Sequence, residues 1–242
     1  MLTTFRRAAA MITVIIAATF TVQARYTDIL KIRRANSGIA ALRSMADGEH
    51  YTVMSKNAII RRSYSDKSLC DTLFISPFAI ADYTLSADEQ MALVPQSATV
   101  QPIYRHSYTA DYLLLERGGT KNCFQSVRDI TFSPDNRTLA YCKDNNLYLY
   151  SIGTNKHTAV TTDGQWNKII NGTSDWVYEE EYGFTQAYAF SPDGAKIAYL
   201  RFDESAVPTF EMMRFDDKLY NKAYSFKYPK AGDCNSKVEL WI

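Results

Sequence analysis

Metal ligands, glycine and net charge are all in short supply in this chain of 242 residues. It has only 3 histidines and 4 cysteines. Cys70, Cys123, Cys142 and Cys234 form no Cys-x-x-Cys pair. His50, His106 and His157 stand at no metal-type spacing to them, so the common zinc motifs are excluded and no cofactor is expected. None of the 10 glycines begins a Gly-x-Ser-x-Gly nucleophile elbow. The balance of 27 basic against 26 acidic residues leaves a net charge of +1, without the basic surplus that a nucleic-acid partner requires. The apolar N-terminal segment from Ala8 to Val22 falls short of the roughly 20 residues that a membrane-spanning helix needs. It follows Arg6 and Arg7 and ends in the small-residue sequence Val22-Gln23-Ala24, the pattern of a cleaved secretory signal. The expectation is a signal peptide over 1–24 and export to the periplasm or cell surface. An exported chain can oxidise its thiols. Cys123–Cys142 would close the shortest loop, and a disulfide there or two buried free thiols both remain open.

Tyrosine, by contrast, is abundant at 17 residues, and several flank the most unusual stretch, Asp175-Trp176-Val177-Tyr178-Glu179-Glu180-Glu181-Tyr182-Gly183-Phe184. Acid runs ordinarily sit in polar, solvated surroundings. Here three carboxyl groups are set among large apolar side chains. Neighbouring carboxylates repel one another, and partial burial disfavours their charged form. A cation offsets both costs. A primary ammonium offers one charge and three donors, and the free N-terminus of a peptide is such a group. On a strand, Glu180 and Glu181 would point to opposite faces. On a helical turn they diverge by about 100° and can converge on one group beside both. A short helical or irregular insertion is therefore expected over Glu179–Tyr182.

A repeat organises the remainder. Tyr83-Thr84-Leu85-Ser86-Ala87-Asp88 precedes Met91-Ala92-Leu93-Val94. Ile130-Thr131-Phe132-Ser133-Pro134-Asp135 precedes Leu139-Ala140-Tyr141-Cys142. Tyr188-Ala189-Phe190-Ser191-Pro192-Asp193 precedes Ile197-Ala198-Tyr199-Leu200. Each unit reads as strand, Ser-x-Asp turn, strand, with Pro and Asp in positions suited to a tight bend. The recurrence fits propeller blades of roughly 40–50 residues. Leu147 to Ile152 reads as a further strand. A turn or two of helix is expected around Ile39 to Met45.

Asp175-Trp176-Val177-Tyr178-Glu179-Glu180-Glu181 resembles the substrate-anchoring motif of the dipeptidyl peptidase IV family of serine exopeptidases. Tyr104-Arg105-His106-Ser107-Tyr108-Thr109-Ala110 is similar to the family segment that supplies a substrate-contacting arginine. Arg43 to Thr52, Asp203 to Pro208 and Tyr228 to Gly232 also resemble family segments. The resemblance runs in order from about Ser37 to Ile242. It implies an all-β fold, an incomplete β-propeller with about four of the family's eight blades. The expected layout is a segment over 25–50 leading into propeller sequence over 51–242.

The resemblance further implies that Glu180 and Glu181 clamp the amino terminus of a peptide substrate, and that Arg105 binds a substrate carbonyl and steadies the glutamates. Glu179 is not one of the two clamps, so its replacement should matter much less; His106 is a structural neighbour. The full enzyme would release Xaa-Pro or Xaa-Ala dipeptides by means of a C-terminal α/β-hydrolase domain that this sequence lacks. The chain is therefore expected to be the N-terminal piece of a longer enzyme and inactive alone. A homodimer stays open for that full enzyme. The alternative is a stand-alone, non-catalytic binding module with propeller-like sheets.

Overall fold

The computed structural model describes residues 41–80, 82–215 and 219–242; the expected signal segment lies outside them. Antiparallel strands make up nearly all of the regular secondary structure in the unit from Arg43 to Ile242. The first blade is a meander of β1 (Arg43–Ser44), β2 (His50–Ser55), β3 (Ala58–Ser63) and β4 (Cys70–Ile75). The next two blades share one continuous sheet of β5 (Thr84–Leu85), β6 (Met91–Pro95), β7 (Gln101–Pro102), β8 (Tyr108–Glu116), β9 (Gly119–Phe132), β10 (Thr138–Lys143), β11 (Asn146–Ser151) and β12 (Lys156–Ala159). The sharing lies in β9. Its stretch from Gly119 to Val127 pairs with β8, and its stretch from Arg128 to Phe132 pairs with β10. Ser126 and Asp129 adopt positive φ of 51° and 50° at the handover, breaking the pleat as a bulge does and turning the strand into the next blade.

The fourth blade holds β13 (Ile169–Asn171), β14 (Tyr188–Phe190), β15 (Ile197–Asp203) and β18 (Lys237–Trp241), with a separate hairpin of β16 (Thr209–Arg214) and β17 (Lys222–Lys227) between the last two. β13 and β14 both pair with β15, on the edge opposite β18, so they lie end to end. The chain between them leaves the sheet and returns, and it carries the one α-helix among the described residues, α1 (Trp176–Tyr182). Backbone bonds close the neck: Gly172 N–H to Leu200 C=O, Ala187 N–H to Gly172 C=O and Ser174 N–H to Thr185 C=O, at 3.0, 2.9 and 2.9 Å. The Glu run is thus lifted out of a strand row on a pedestal, as its sequence demanded.

The alternation of β10 shows why the sheets stack. Successive side chains point to opposite faces. Leu139 and Tyr141 join Leu93, Leu114, Phe124 and Tyr150 in one apolar cluster. Ala140 and Cys142 join Leu147 and Tyr188 in another. Both faces of the strand are consumed, one toward the preceding blade and one toward the next.

The three Ser-x-Asp turns share one geometry. Ser86, Ser133 and Ser191 donate their hydroxyls to Asp88, Asp135 and Asp193 at 2.6, 2.6 and 2.5 Å. The same hydroxyls accept the amides of Met91, Thr138 and Lys196 at 2.9, 3.0 and 2.9 Å. The residue after each Asp (Glu89, Asn136, Gly194) is left-handed at φ 58°, 58° and 71°, which lets a short turn rejoin the ladder. The serine hydroxyl first, and then the amide of Arg137 or Ala195, hold Asp135 and Asp193 below the usual carboxylate range.

Two expectations need correction. No helix spans Arg43–Met45: Arg43 and Ser44 pair with Thr52 and Tyr51, because β2 offers them an open edge. The first sheet therefore reaches back into the segment expected to lead into it. All four thiols are free, with Cys142 buried and Cys123 exposed, so neither the disulfide nor a pair of buried thiols is realised.

A second acid pair stands at the foot of α1. Glu204, next to the end of β15, is buried at 2% exposure, as is Asp175 at 3%. Burial, and then the neighbouring Asp175, push the Glu204 carboxyl up to about 7.

Two outcomes follow for thermal or denaturant melts of the chain. Ser133 is fully buried and Ser191 is not. Ser133→Ala is expected to cost about 1–3 kcal/mol by stranding a buried amide, and Ser191→Ala about 1 kcal/mol or less; equal losses would refute the hydroxyl's closing role. A raised folded-state pKa means that the folded state holds the extra proton. The stability from Glu204 is complete below about pH 4.5 and is lost as pH rises to about 7. Glu204→Gln should abolish that slope and stabilise the chain at pH 8 by up to about 3 kcal/mol. A slope that persists in the variant would assign it to other groups.

Candidate functional site

Asp175 starts α1. Its backbone is extended, and its side chain accepts the Tyr178 amide at 2.9 Å as an N-cap. Its second oxygen accepts the Ser236 hydroxyl at 2.5 Å, tying the helix start to the chain just before β18. Gly183 ends the helix at φ 72° and donates its N–H to the Glu179 carbonyl, a left-handed stop that favours glycine. Cap and stop sit eight positions apart and leave room for two turns only, so the three glutamates must fan around one short helix.

Aromatic packing fixes how the helix is rotated. Tyr178 meets Phe202 and Phe184 edge-on at centroid distances of 5.0 and 5.9 Å and lies 4.8 Å from Tyr182. Trp176 meets Tyr228 at 4.3 Å. Glu179 then points inward and is fully buried, Glu180 is half-buried and Glu181 is exposed.

Arg105 comes from a tight turn between β7 and β8. The Ile103 amide donates to the Ser107 carbonyl at 2.9 Å, and the Tyr104 amide to the Ser107 hydroxyl at 3.3 Å. The Tyr104 ring packs between Trp166 and Phe226 at 6.3 and 5.7 Å, and the Tyr224 hydroxyl donates to the Ile103 carbonyl at 3.2 Å. Burial, more than the nearby Glu204, drives the Tyr104 hydroxyl far above its ordinary value, so it stays protonated. The neighbours are braced while the Arg105 side chain stays 75% exposed.

The two segments, far apart in sequence, meet here. The guanidinium Nη1 of Arg105 lies 3.8 Å from Oε2 of Glu180. That is an ion-pair distance and too long for a hydrogen bond, so the fork of donors on Arg105 is not consumed by the pair. Glu181 makes no ion pair with Arg105 among the described residues. A cavity of about 160 Å³ is lined in part by His106, Ser107, Asp129 and Thr185, and by neither Glu180 nor Glu181. Among the described residues no cluster of His, Cys, Asp and Glu is arranged to hold a metal ion.

Glu179 departs from expectation. Its Oε1 accepts the backbone amides of His106 and Ser107 at 2.7 and 2.9 Å, while its Oε2 is buried without a hydrogen bond to described residues. It is buried and hydrogen-bonded, and these contacts weigh against the expectation that its replacement should matter much less than that of Glu180 or Glu181. His106 takes part through its backbone, as a structural neighbour. Nothing in the sequence around Glu179 could have shown this, since its partners lie 73 and 72 positions away.

Electrostatics sharpen the picture. Glu180 and Glu181 occupy the last turn of α1, where the helix dipole is negative and favours cations. Among the described residues the last turn carries no basic side chain. Among the described residues Arg105 is the one cation paired with the run.

Comparison with known proteins places this arrangement. The family model for the dipeptidyl peptidase IV N-terminal region matches residues 86–242. Dipeptidyl peptidase 4 of Trichophyton equinum is 32% identical over 222 residues, covering 86% of this chain and 28% of its own length. Prolyl endopeptidase FAP of Mus musculus is 35% identical over 167 residues, covering 66% of this chain and 22% of its own. The crystal structure of dipeptidyl peptidase 4 from Porphyromonas gingivalis superposes with a TM-score of 0.76 at 41% identity, over 83% of this chain and 30% of that one. The chain spans less than a third of the length of each of these relatives. With its matched region, its blades and its Glu-bearing insertion taken together, the chain belongs to the dipeptidyl peptidase IV family and represents part of that family's N-terminal region.

Proposed function

We propose that this chain is the substrate-anchoring part of an exported dipeptidyl peptidase, holding the free amino terminus of a peptide between Glu180, Glu181 and Arg105. The observation that carries the reading is the approach of Arg105 to Glu180 at 3.8 Å across the two segments. Two carboxylates on the negative end of a short helix make a site that a cation stabilises. The amino terminus of a peptide supplies that cation together with three hydrogen-bond donors. Arg105 offers a rigid, always-charged fork for the first carbonyl of the same peptide. Glutamates and arginine together measure a fixed distance from the amino end, which suits the release of dipeptides, with Pro or Ala second. Export is part of the proposal and rests on Arg6, Arg7 and the apolar run from Ala8 to Val22.

The bond-breaking chemistry is assigned elsewhere, because this sequence contains no nucleophile elbow. The purified chain is expected to release no chromophore from a Gly-Pro substrate above blank. The anchoring role is tested by replacing the matching region of a complete family enzyme with residues 43–242. Removing one partner of a desolvated, hydrogen-bonded charge pair costs about 2–5 kcal/mol. Glu180→Ala or Glu181→Ala should therefore lower kcat/KM for dipeptide release by roughly 30-fold or more, with Arg105→Ala falling short of that. Wild-type rates in both glutamate variants would reduce the run to a surface patch.

A further inference from the structure

We infer that Glu179 is a positioning residue: its buried carboxyl group sets the distance between Arg105 and the two clamp glutamates. The inference rests on the amine-clamp reading above and adds a residue to it. Helix α1 and the Arg105 turn belong to different blades and share no strand pairing. Among the described residues, the hydrogen bonds that join them are the two that one oxygen of Glu179 receives from consecutive amides of the turn, at 2.7 and 2.9 Å. Two donors on one acceptor fix both the distance and the tilt of the turn, and Arg105 immediately precedes the first of them. On the other side, Glu179 is joined by a single peptide bond to Glu180. Any slip of this contact moves Arg105 relative to Glu180 directly.

The cost of the arrangement argues for that role. Glu179 is fully buried, and its second oxygen has no hydrogen-bond partner among the described residues. Leaving a buried polar atom unpaired is unfavourable. An apolar side chain would fill the space without that cost, but it could not accept the two amides. A carboxyl group kept at such a position serves the contact made by its first oxygen.

The contact needs an acceptor at the full reach of a Glu side chain and does not need a charge. Glu179→Gln keeps the acceptor. Glu179→Asp keeps the carboxyl but retracts it by one methylene, and it disturbs packing less than Ala does. The full 242-residue chain is assayed in two ways. The first is amide hydrogen exchange at His106 and Ser107. The second is the binding preference for Gly-Pro-amide over its N-acetyl form, which lacks the ammonium. In Glu179→Asp, protection at both amides should fall roughly 10-fold or more, and the preference for the free amine should fall by about 10-fold to 100-fold. Glu179→Gln should keep both within about 3-fold of the wild type. Leu147→Ala, in the blade interior, serves as the control at a matched loss of melting temperature, and it should leave the preference unchanged.

Unchanged exchange at His106 and Ser107 in Glu179→Asp overturns the inference however the probes bind. Equal damage in the Gln and Asp variants also overturns it, since charge rather than reach would then matter. A shift in preference in Leu147→Ala as large as in Glu179→Asp overturns it too, by reducing the effect to lost stability. Equal binding of both probes by the wild type counts instead against the amine-clamp reading, and the exchange result still decides whether Glu179 holds the turn.

Discussion

A single buried oxygen holds the two halves of the site in register. Oε1 of Glu179 receives the amides of His106 and Ser107, and through it the helix of the fourth blade grips a turn of the second. Propeller blades pack through apolar faces, which are tolerant and non-directional. Such packing alone does not hold Arg105 within a few tenths of an ångström of a fixed relation to Glu180. Hydrogen bonds are directional and short, and two on one acceptor leave the turn little freedom. The remaining braces act on either side of this contact: the Asp175 cap with Ser236, the Gly183 stop, and the Tyr104 ring between Trp166 and Phe226.

What could be read from the sequence was local. The Ser-x-Asp turns were legible because all of their bonds fall within six residues, from Ser133 to Thr138 for example. The insertion carrying the acid run was legible because helix geometry alone lets Glu180 and Glu181 face one group, and Asp175 and Gly183 mark its ends. The residue types of the site were visible through the motifs around Arg105 and Glu180. What escaped was long-range. Arg43 and Ser44 looked helical in isolation and became strand because β2 presented an edge to them. Cys123 and Cys142 are close in sequence, yet one faces solvent and the other faces the next blade. The three glutamates look equivalent along the chain. Only the rotation of α1, set by Tyr178 against Phe202, makes one of them buried, one half-buried and one exposed.

The acidic groups around α1 divide into two sets with opposite electrostatic needs. At the helix start, Asp175 accepts a backbone amide and sits where the dipole is positive, so its environment favours an acceptor. Glu204 lies beside it, and burial together with that neighbour outweighs Lys227 and the Asn167 amide and raises its proton affinity. At the helix end, Glu180 and Glu181 meet the negative pole, with Arg105, among the described residues, as the one paired cation at an ion-pair distance. The foot of the pedestal therefore resolves its charge conflict internally, by protonation and hydrogen bonds. The tip leaves its conflict for a cation to resolve. On the proposed anchoring role, a peptide ammonium would add the charge that the tip lacks, and it would meet carboxylates whose spacing the buried Glu179 has already set. Little of the binding energy then goes into ordering side chains, which is the advantage that a preorganised site holds over a flexible one.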